Sequence, residues 1–417
     1  MRINRVTLQK KSRLAGFFLF LLAACQPDPK PMVPGLLSYQ QAEVALQQQM
    51  PVKAAQLFRL SAEQGYLPAI DAYLKAQKVA GIKPDTLAAL AWVAQLPWAA
   101  ESVPIKTDSA TESISLQSVL AELGAWQQLT VEQQHQYQQP FTKLKLQHKQ
   151  CALRLQPVVT TLHTARQWAM LLQQWQQDRQ LSALQLCFNP PQFIDSQQLA
   201  CTEQVGRRIR CQADALVPVV LQGKATQLVV LAGMGRASYN NGWLQLPVDA
   251  SLALLRHEIS HLFGFLDEYP LPAEVASEEC VTGRITPNLL FSKHDLPAYL
   301  KYWQLSAHQI QLTPVHTCQH QGRLAYRVVA ADSHLLHYEL AMPALYLKLM
   351  QQQLKQPQLL MPVQYYFAFL ARQQQDWQQW QQFMQLAAGS GYPPAIAALT
   401  EVAAADKGTV ATHATLE

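Results

Sequence analysis

The sequence predicts an α+β body at residues 149–345, flanked by α-helical segments at 37–148 and 346–417. Three observations carry this. Short apolar runs at Leu184–Phe188, Leu216–Leu221 and Leu228–Leu231 have strand length, and Thr161–Gln177 has apolar residues at helical spacing, as a helix backing a sheet would. From Leu37 to Gln139 apolar and alanine positions recur every three or four residues, broken at Pro51, Pro68, Pro84 and Pro97. A helix-turn-helix pattern near the start recurs near the end. A length of 417 residues suits two or three domains, and 49% apolar residues suffice for large cores. With 15% charged residues, a net charge of +5 and no basic stripe, nothing argues for a nucleic-acid partner.

Residues 1–24 read as a targeting segment. Arg2, Arg5, Lys10, Lys11 and Arg13 precede the apolar run Leu14–Leu22, which is too short for a permanent membrane span. Leu22-Ala23-Ala24-Cys25 resembles the bacterial lipobox. That resemblance implies cleavage before Cys25, acylation of Cys25 and a membrane-anchored protein of the cell envelope. Gln26 after the cysteine resembles the sorting signal of outer-membrane lipoproteins, which implies a periplasmic or surface location. Residues 25–36, with Pro27, Pro29, Pro31 and Pro34, read as a stiff tether.

In the first helical segment, Leu60-Ser61-Ala62-Glu63-Gln64-Gly65-Tyr66-Leu67-Pro68-Ala69-Ile70-Asp71-Ala72-Tyr73 matches Leu386-Ala387-Ala388-Gly389-Ser390-Gly391-Tyr392-Pro393-Pro394-Ala395-Ile396-Ala397-Ala398-Leu399 at Leu, Ala, Gly, Tyr, Pro, Ala, Ile and Ala. Gly65 and Gly391 allow the turn, and small residues let the helices pack closely. Both stretches resemble the core of Sel1-like, tetratricopeptide-type repeats. A single unit cannot bury its own face, so each is expected to pack on the central body, on neighbouring helices or on the other. Two roles follow: a groove for a protein partner, or a collar that stabilises the body. The glutamine-rich run Gln373–Trp380 has aromatic residues at helical spacing and reads as a solvated helix anchored by tryptophan.

The centre of the chain is His257-Glu258-Ile259-Ser260-His261, followed by Gly264 and Asp267. On a helix the two histidines stand one turn apart on one face and can point at one ion. Two neutral imidazoles suit zinc, which in catalytic sites takes three protein ligands. Glu258 adjoins the first ligand, where a general base would stand. Gly264 can take the left-handed conformation that ends a helix, which would bring Asp267 round as third ligand. Glu274, Glu278 and Glu279 are the alternatives, supplied from a following helix. The apolar strand Gln227–Gly233 and a loop or hairpin at Ala237–Leu246 lead to this helix. Leu228–Leu231 is expected beside the cleft as the edge strand on which an extended substrate pairs.

The string His-Glu-x-x-His-x-x-Gly-x-x-Asp resembles the metzincin signature with Asp in place of the third His, and with Glu268-Tyr269 it resembles the IgA-peptidase family of bacterial zinc metallopeptidases. The resemblance implies a zincin-like metallopeptidase domain with Zn2+ on His257, His261 and Asp267, Glu258 as catalytic base, and a peptide or protein substrate. Metzincins carry a Met-turn under the metal, for which this chain offers only Met342, well downstream, and a lone methionine is more often core filling. Tyr269 and Tyr346 are candidate oxyanion stabilisers. Two further functions fit the same residues: a non-catalytic envelope scaffold, and a hydrolase of peptidoglycan cross-link peptides.

Besides Cys25 there are six cysteines, an even number that suits disulfides in an oxidising compartment. Cys201 with Cys211 and Cys280 with Cys318 would each close a local loop. His294, His308, His316, His320, His334 and His337 show no second ligand spacing and read as surface or satisfied histidines.

Overall fold

The computed structural model describes residues 34–66, 68–80, 92, 104–107, 110–113, 116–148 and 151–413. The segment 1–24, Cys25 and the tether up to residue 33 lie outside them, as do Pro84 and Pro97.

The described chain is mixed helix and sheet. It opens with three sequentially packed helices, α1 (Leu36–Gln47), α2 (Pro51–Glu63) and α3 (Pro68–Val79). Their shared core is mostly alanine, with Ala42, Ala45, Ala54, Ala55, Ala62 and Ala69 around Phe58, so the helices approach closely.

The body is built on one sheet. Its strands are β1 (Leu153–Val159), β2 (Leu186–Phe188), β3 (Gln192–Phe193), β4 (Gln227–Leu231), β5 (Ser238–Asn240) and β6 (Trp243–Leu246). The order is β2-β1-β4-β6-β5, with β3 also paired to β1. All pairs are parallel except the β5–β6 hairpin. A parallel sheet needs cover on both faces, and the side chains divide accordingly. Leu155, Val159, Val229, Leu231, Leu244 and Leu246 enter the front core. Val158, Leu228, Val230 and Trp243 enter the back core. Helix α4 (Leu162–Gln177) covers the front. Thr161 caps it, and its Trp168 and Trp175 each pack edge-on against Phe188 with ring centroids 5.2 Å apart.

Helix α5 (Leu252–Leu262) also lies in front, with Leu255, Ile259 and Leu262 in that core. Helix α6 (Ala344–Gln353) adds Tyr346, Leu349 and Met350, so the front core runs past the boundary expected at 345/346. The back is sealed by α7 (Val363–Gln373) and α8 (Trp377–Gly389), through Phe367, Phe383 and Met384. Helix α9 (Pro393–His413) follows.

Two strand expectations are corrected. Leu216–Leu221 is not a strand: Val217–Leu221 is a short helix, with Pro218 in its first turn. Proline lacks the amide that a strand ladder needs, but a first helical turn does not use it. Leu228–Leu231 is not an edge, because β4 is paired on both sides, to β1 and β6. The edges of the order are β2 and β5, and β5 packs beside α5.

The repeated pattern has a common geometry wider than the matched residues. Gly65 and Gly391 have φ of 98° and 84°. The amide of Tyr66 donates to the Ser61 carbonyl, and that of Tyr392 to the Ala387 carbonyl. Tyr66 packs on Tyr39 and Tyr392 on Tyr365. Gln49 and Gln375 both have positive φ, 58° and 60°. Each second residue stands at the same distance along the chain from the first. The three-helix unit α1–α3 is thus duplicated as α7–α9.

Three disulfides are present: Cys201–Cys211, Cys280–Cys318 and Cys151–Cys187. Cys280 and Cys318 lie at the centre of a small core with Leu271, Ala276, Leu289, Phe291, Val315 and Ala325, which organises the loop-rich region after Tyr269. This bridge spans 38 residues. Loop-closure entropy for that span is worth about 4 kcal/mol. Replacing both cysteines by serine is expected to lower unfolding free energy by about that amount in non-reducing denaturant titrations.

Candidate metal site

Ser251 starts helix α5 by accepting the Leu254 amide at 3.2 Å. The helix ends at Gly264, φ 74°, with paired hydrogen bonds from Gly264 N to the His261 carbonyl and from Phe265 N to the Ser260 carbonyl. This is a Schellman end, which needs the left-handed residue. The chain then doubles back and returns Asp267 to the helix.

His257, His261 and Asp267 converge. His257 Nε2 and His261 Nε2 are 3.2 Å apart, and Asp267 Oδ1 is 3.2 Å from the first and 3.4 Å from the second. A tetrahedral ion with bonds of about 2.0–2.1 Å separates its ligand atoms by about 3.3–3.4 Å. The triangle therefore fits a zinc-sized tetrahedral ion, and the two imidazoles disfavour calcium or magnesium, which take oxygen ligands. Asp267 Oδ1 is buried and has no hydrogen-bond donor, as is Glu258 Oε2. Buried acceptors without donors are rare, and an ion would satisfy the first. The alternatives Glu274, Glu278 and Glu279 do not join the cluster.

The surroundings orient the ligands. His257 Nδ1 lies 2.7 Å from the His334 carbonyl and His261 Nδ1 2.8 Å from the Phe265 carbonyl. A carbonyl only accepts, so each neutral ring carries its proton on Nδ1 and turns the Nε2 lone pair inward. His334 is fully buried, and its Nε2 faces Ser260 Oγ at 2.8 Å. Burial pushes its pKa down to about 3, so it stays neutral behind the site.

The return loop is fixed from three sides. Asn288 grips Leu266, accepting its amide at 3.0 Å and donating to its carbonyl at 2.8 Å. Thr317 donates to the Asp267 carbonyl at 3.0 Å. Glu268 points into the core, where it accepts from Tyr346 at 2.6 Å and Ser333 at 2.9 Å, with Arg327 at 3.7 Å. Glu268, Asn288 and Thr317 escape sequence reasoning, because only the folded loop brings them together. The nearest signal was the acidic residue beside a ligand.

Tyr346 is corrected. It is fully buried and its hydroxyl is engaged by Glu268, so it has no surface to offer a reacting group. Tyr269 is 39% exposed and lies beside Asp267, so it stands at the rim. Burial and Asp267 both push its pKa up. Met342 is buried in the front core between Gln180, which donates to its carbonyl, and α6. His294, His308, His316, His320 and His337 join no ligand cluster among the described residues.

Burial disfavours charge on His261, but the Asp267 carboxylate outweighs it and raises the ring pKa to about 9. Burial likewise opposes charge on Asp267, yet the two imidazoles hold it well below the usual carboxylate range. Burial raises the Glu258 pKa against the pull of both histidines. The site thus favours a positive charge among the three side chains, which a proton or a metal ion would supply.

Comparison of the chain with protein-family models, with curated proteins and with solved structures finds no match in any of the three.

Two outcomes follow. Protonation of His261, whose ordinary pKa is 6.5, stabilises the metal-free fold fully below that pH, and this contribution is lost as pH rises through about 9. A metal must displace that proton, so chelator competition is expected to show affinity rising about tenfold per pH unit from 7 towards 9, then levelling. Asn288→Ala frees the loop that carries Asp267, and is expected to weaken metal affinity about 10- to 100-fold in the same assay.

Proposed function

We propose that the protein is a zinc-dependent peptidase of the bacterial cell envelope with a zincin-like body. The observation that carries this is the His257–His261–Asp267 triangle with Glu258 on the same helix, its Oε2 buried and without a donor. A zinc ion held there would supply Lewis acidity to a water and to the carbonyl of a peptide bond. Glu258 would take a proton from that water as its oxygen bonds to the carbonyl carbon, then pass the proton to the amine nitrogen as the C–N bond breaks. Tyr269, at the rim, would be the donor to the developing oxyanion.

The duplicated three-helix unit and its shared turn support the Sel1-like reading of both ends. The C-terminal unit acts as a collar on the sheet, and the N-terminal unit is available to a protein partner. The lipobox-like Leu22–Cys25 supports anchoring to the outer membrane through acylated Cys25. Among the described residues no helix is long and apolar enough to cross a membrane.

One observation favours a second reading, a scaffold that binds metal without cleaving. The ligands are well enclosed, with side-chain exposures of 8% for His257, 15% for His261 and 13% for Asp267. Hydrolysis of peptidoglycan cross-link peptides remains within the first reading, since zinc and a base do not choose between peptide bonds.

Metal content by mass spectrometry, paired with cleavage of a mixed peptide library, separates these readings. Wild type is expected to hold one zinc per chain and to cleave. Glu258→Gln should keep the zinc and lose cleavage by about 10²–10⁴-fold. Asp267→Ala should lose both. Zinc without cleavage of any peptide would select the scaffold, and a folded wild type without zinc would overturn the proposal.

A further inference from the structure

A disulfide-closed loop stands beside the candidate site. Residues Cys201–Cys211 read Cys-Thr-Glu-Gln-Val-Gly-Arg-Arg-Ile-Arg-Cys. The loop is closed at its base by the disulfide and by Thr202, whose amide donates to the Arg210 carbonyl at 2.8 Å. Fully buried Ile209 anchors it. Its strand Glu203–Arg208 pairs in parallel with Met234–Arg236. That second strand runs straight into edge strand β5, and Ser238 of β5 donates to the Ile209 carbonyl at 3.3 Å. The loop is therefore fixed to the sheet edge that packs against the metal-site helix.

Arg208 and Arg236 are direct cross-strand partners. Both are exposed. Like charges directly opposite one another destabilise a strand pair unless something shared compensates. Among the described residues neither arginine forms an ion pair. Arg207 and Arg210, also exposed, add to the same loop. Arg208 is within electrostatic range of both Glu258 and Tyr269. Guanidinium groups match the planar, two-oxygen shape of a carboxylate.

We propose that the Cys201–Cys211 loop is the specificity element of this site, and that Arg208 and Arg236 together select peptides carrying a carboxylate near the bond presented to Glu258. The inference rests on the peptidase reading for the word substrate, but the arginine pair would bind an anionic peptide whether or not it is cut. The carboxylate has two sources, an acidic side chain or a free chain terminus.

The test uses zinc-loaded protein and matched peptides: glutamate against glutamine at each position, and free against amidated C-terminus. Cleavage is read as kcat/KM, and binding as fluorescence anisotropy on the zinc-loaded Glu258→Gln form. The carboxylate peptide is expected to be preferred by about tenfold or more, with binding that weakens as salt is raised. In Arg208→Gln/Arg236→Gln the ratio should fall to near one with zinc content unchanged, and Arg208→Lys should keep part of it. A preference that follows the internal glutamate identifies an acidic side chain, and one that follows the terminus identifies the terminal carboxylate. Cleavage with no charge preference, or a preference that survives the double substitution, overturns the inference and leaves the peptidase. Arginine-dependent binding without cleavage of any peptide overturns the peptidase and leaves the inference. Neither binding nor cleavage overturns both.

Discussion

The geometry of the candidate site depends on one constraint: the chain must leave helix α5 at Gly264 and return within three residues to place Asp267 against the two histidines. A helix alone can align His257 and His261, because a four-residue step keeps them on one face. The third group has no such guarantee. Its position is set by a left-handed glycine, by Asn288 clasping Leu266 from both sides, by Thr317 on the Asp267 carbonyl, and by the Glu268 carboxylate sunk among Tyr346, Ser333 and Arg327. Buried Glu268 is costly to desolvate, and burial raises its pKa accordingly. A carboxyl with this many partners specifies one loop conformation. The adjacent carboxylate, Asp267, is left with Oδ1 facing the Nε2 atoms of the two histidines. Two neighbouring acids thus take opposite roles, one fixing the backbone and the other facing the site.

The sheet supplies the rigidity behind this loop. Alternation along β1, β4 and β6 sends side chains to two separate cores, so both faces must be covered. The front cover includes α5 itself, whose Leu255 and Ile259 pack into the same core as Trp168 and Phe188. The back cover comes from the far end of the sequence, α7 and α8. The C-terminal helices are therefore part of the body's packing, and they hold the sheet from which the site projects.

Much of this was legible in sequence where local rules decide. The His257/His261 spacing, the stop at Gly264 and the helix over Thr161–Gln177 follow from residues close to one another, and Ala237–Leu246, open between a loop and a hairpin, forms the β5–β6 hairpin. The disulfides Cys201–Cys211 and Cys280–Cys318 follow from loop closure. What failed was set by distant partners. Val217–Leu221 has strand-like composition, but Pro218 and packing against α7 and α8 make it a helix. Apolar Leu228–Leu231 could have been an edge or a centre, and only pairing with β1 and β6 decides for the centre. Tyr346 lies far from the motif in sequence, and nothing local says that its hydroxyl belongs to Glu268.

The duplicated helical unit separates local from distant causes within one chain. Gly65 and Gly391, Gln49 and Gln375, Tyr66 and Tyr392 adopt matching conformations, because turn chemistry fixes them without outside help. The faces the two units present do not match. Val363 of α7 is fully buried in the back core, while Leu37, at the equivalent place in α1, is 59% exposed. The same backbone unit thus covers a sheet face in one copy, while in the other α3 touches the strand Glu203–Arg208 and the helical core takes in Leu123. Backbone geometry here is inherited with the repeat, and the use made of it is written in the few side chains that face outward.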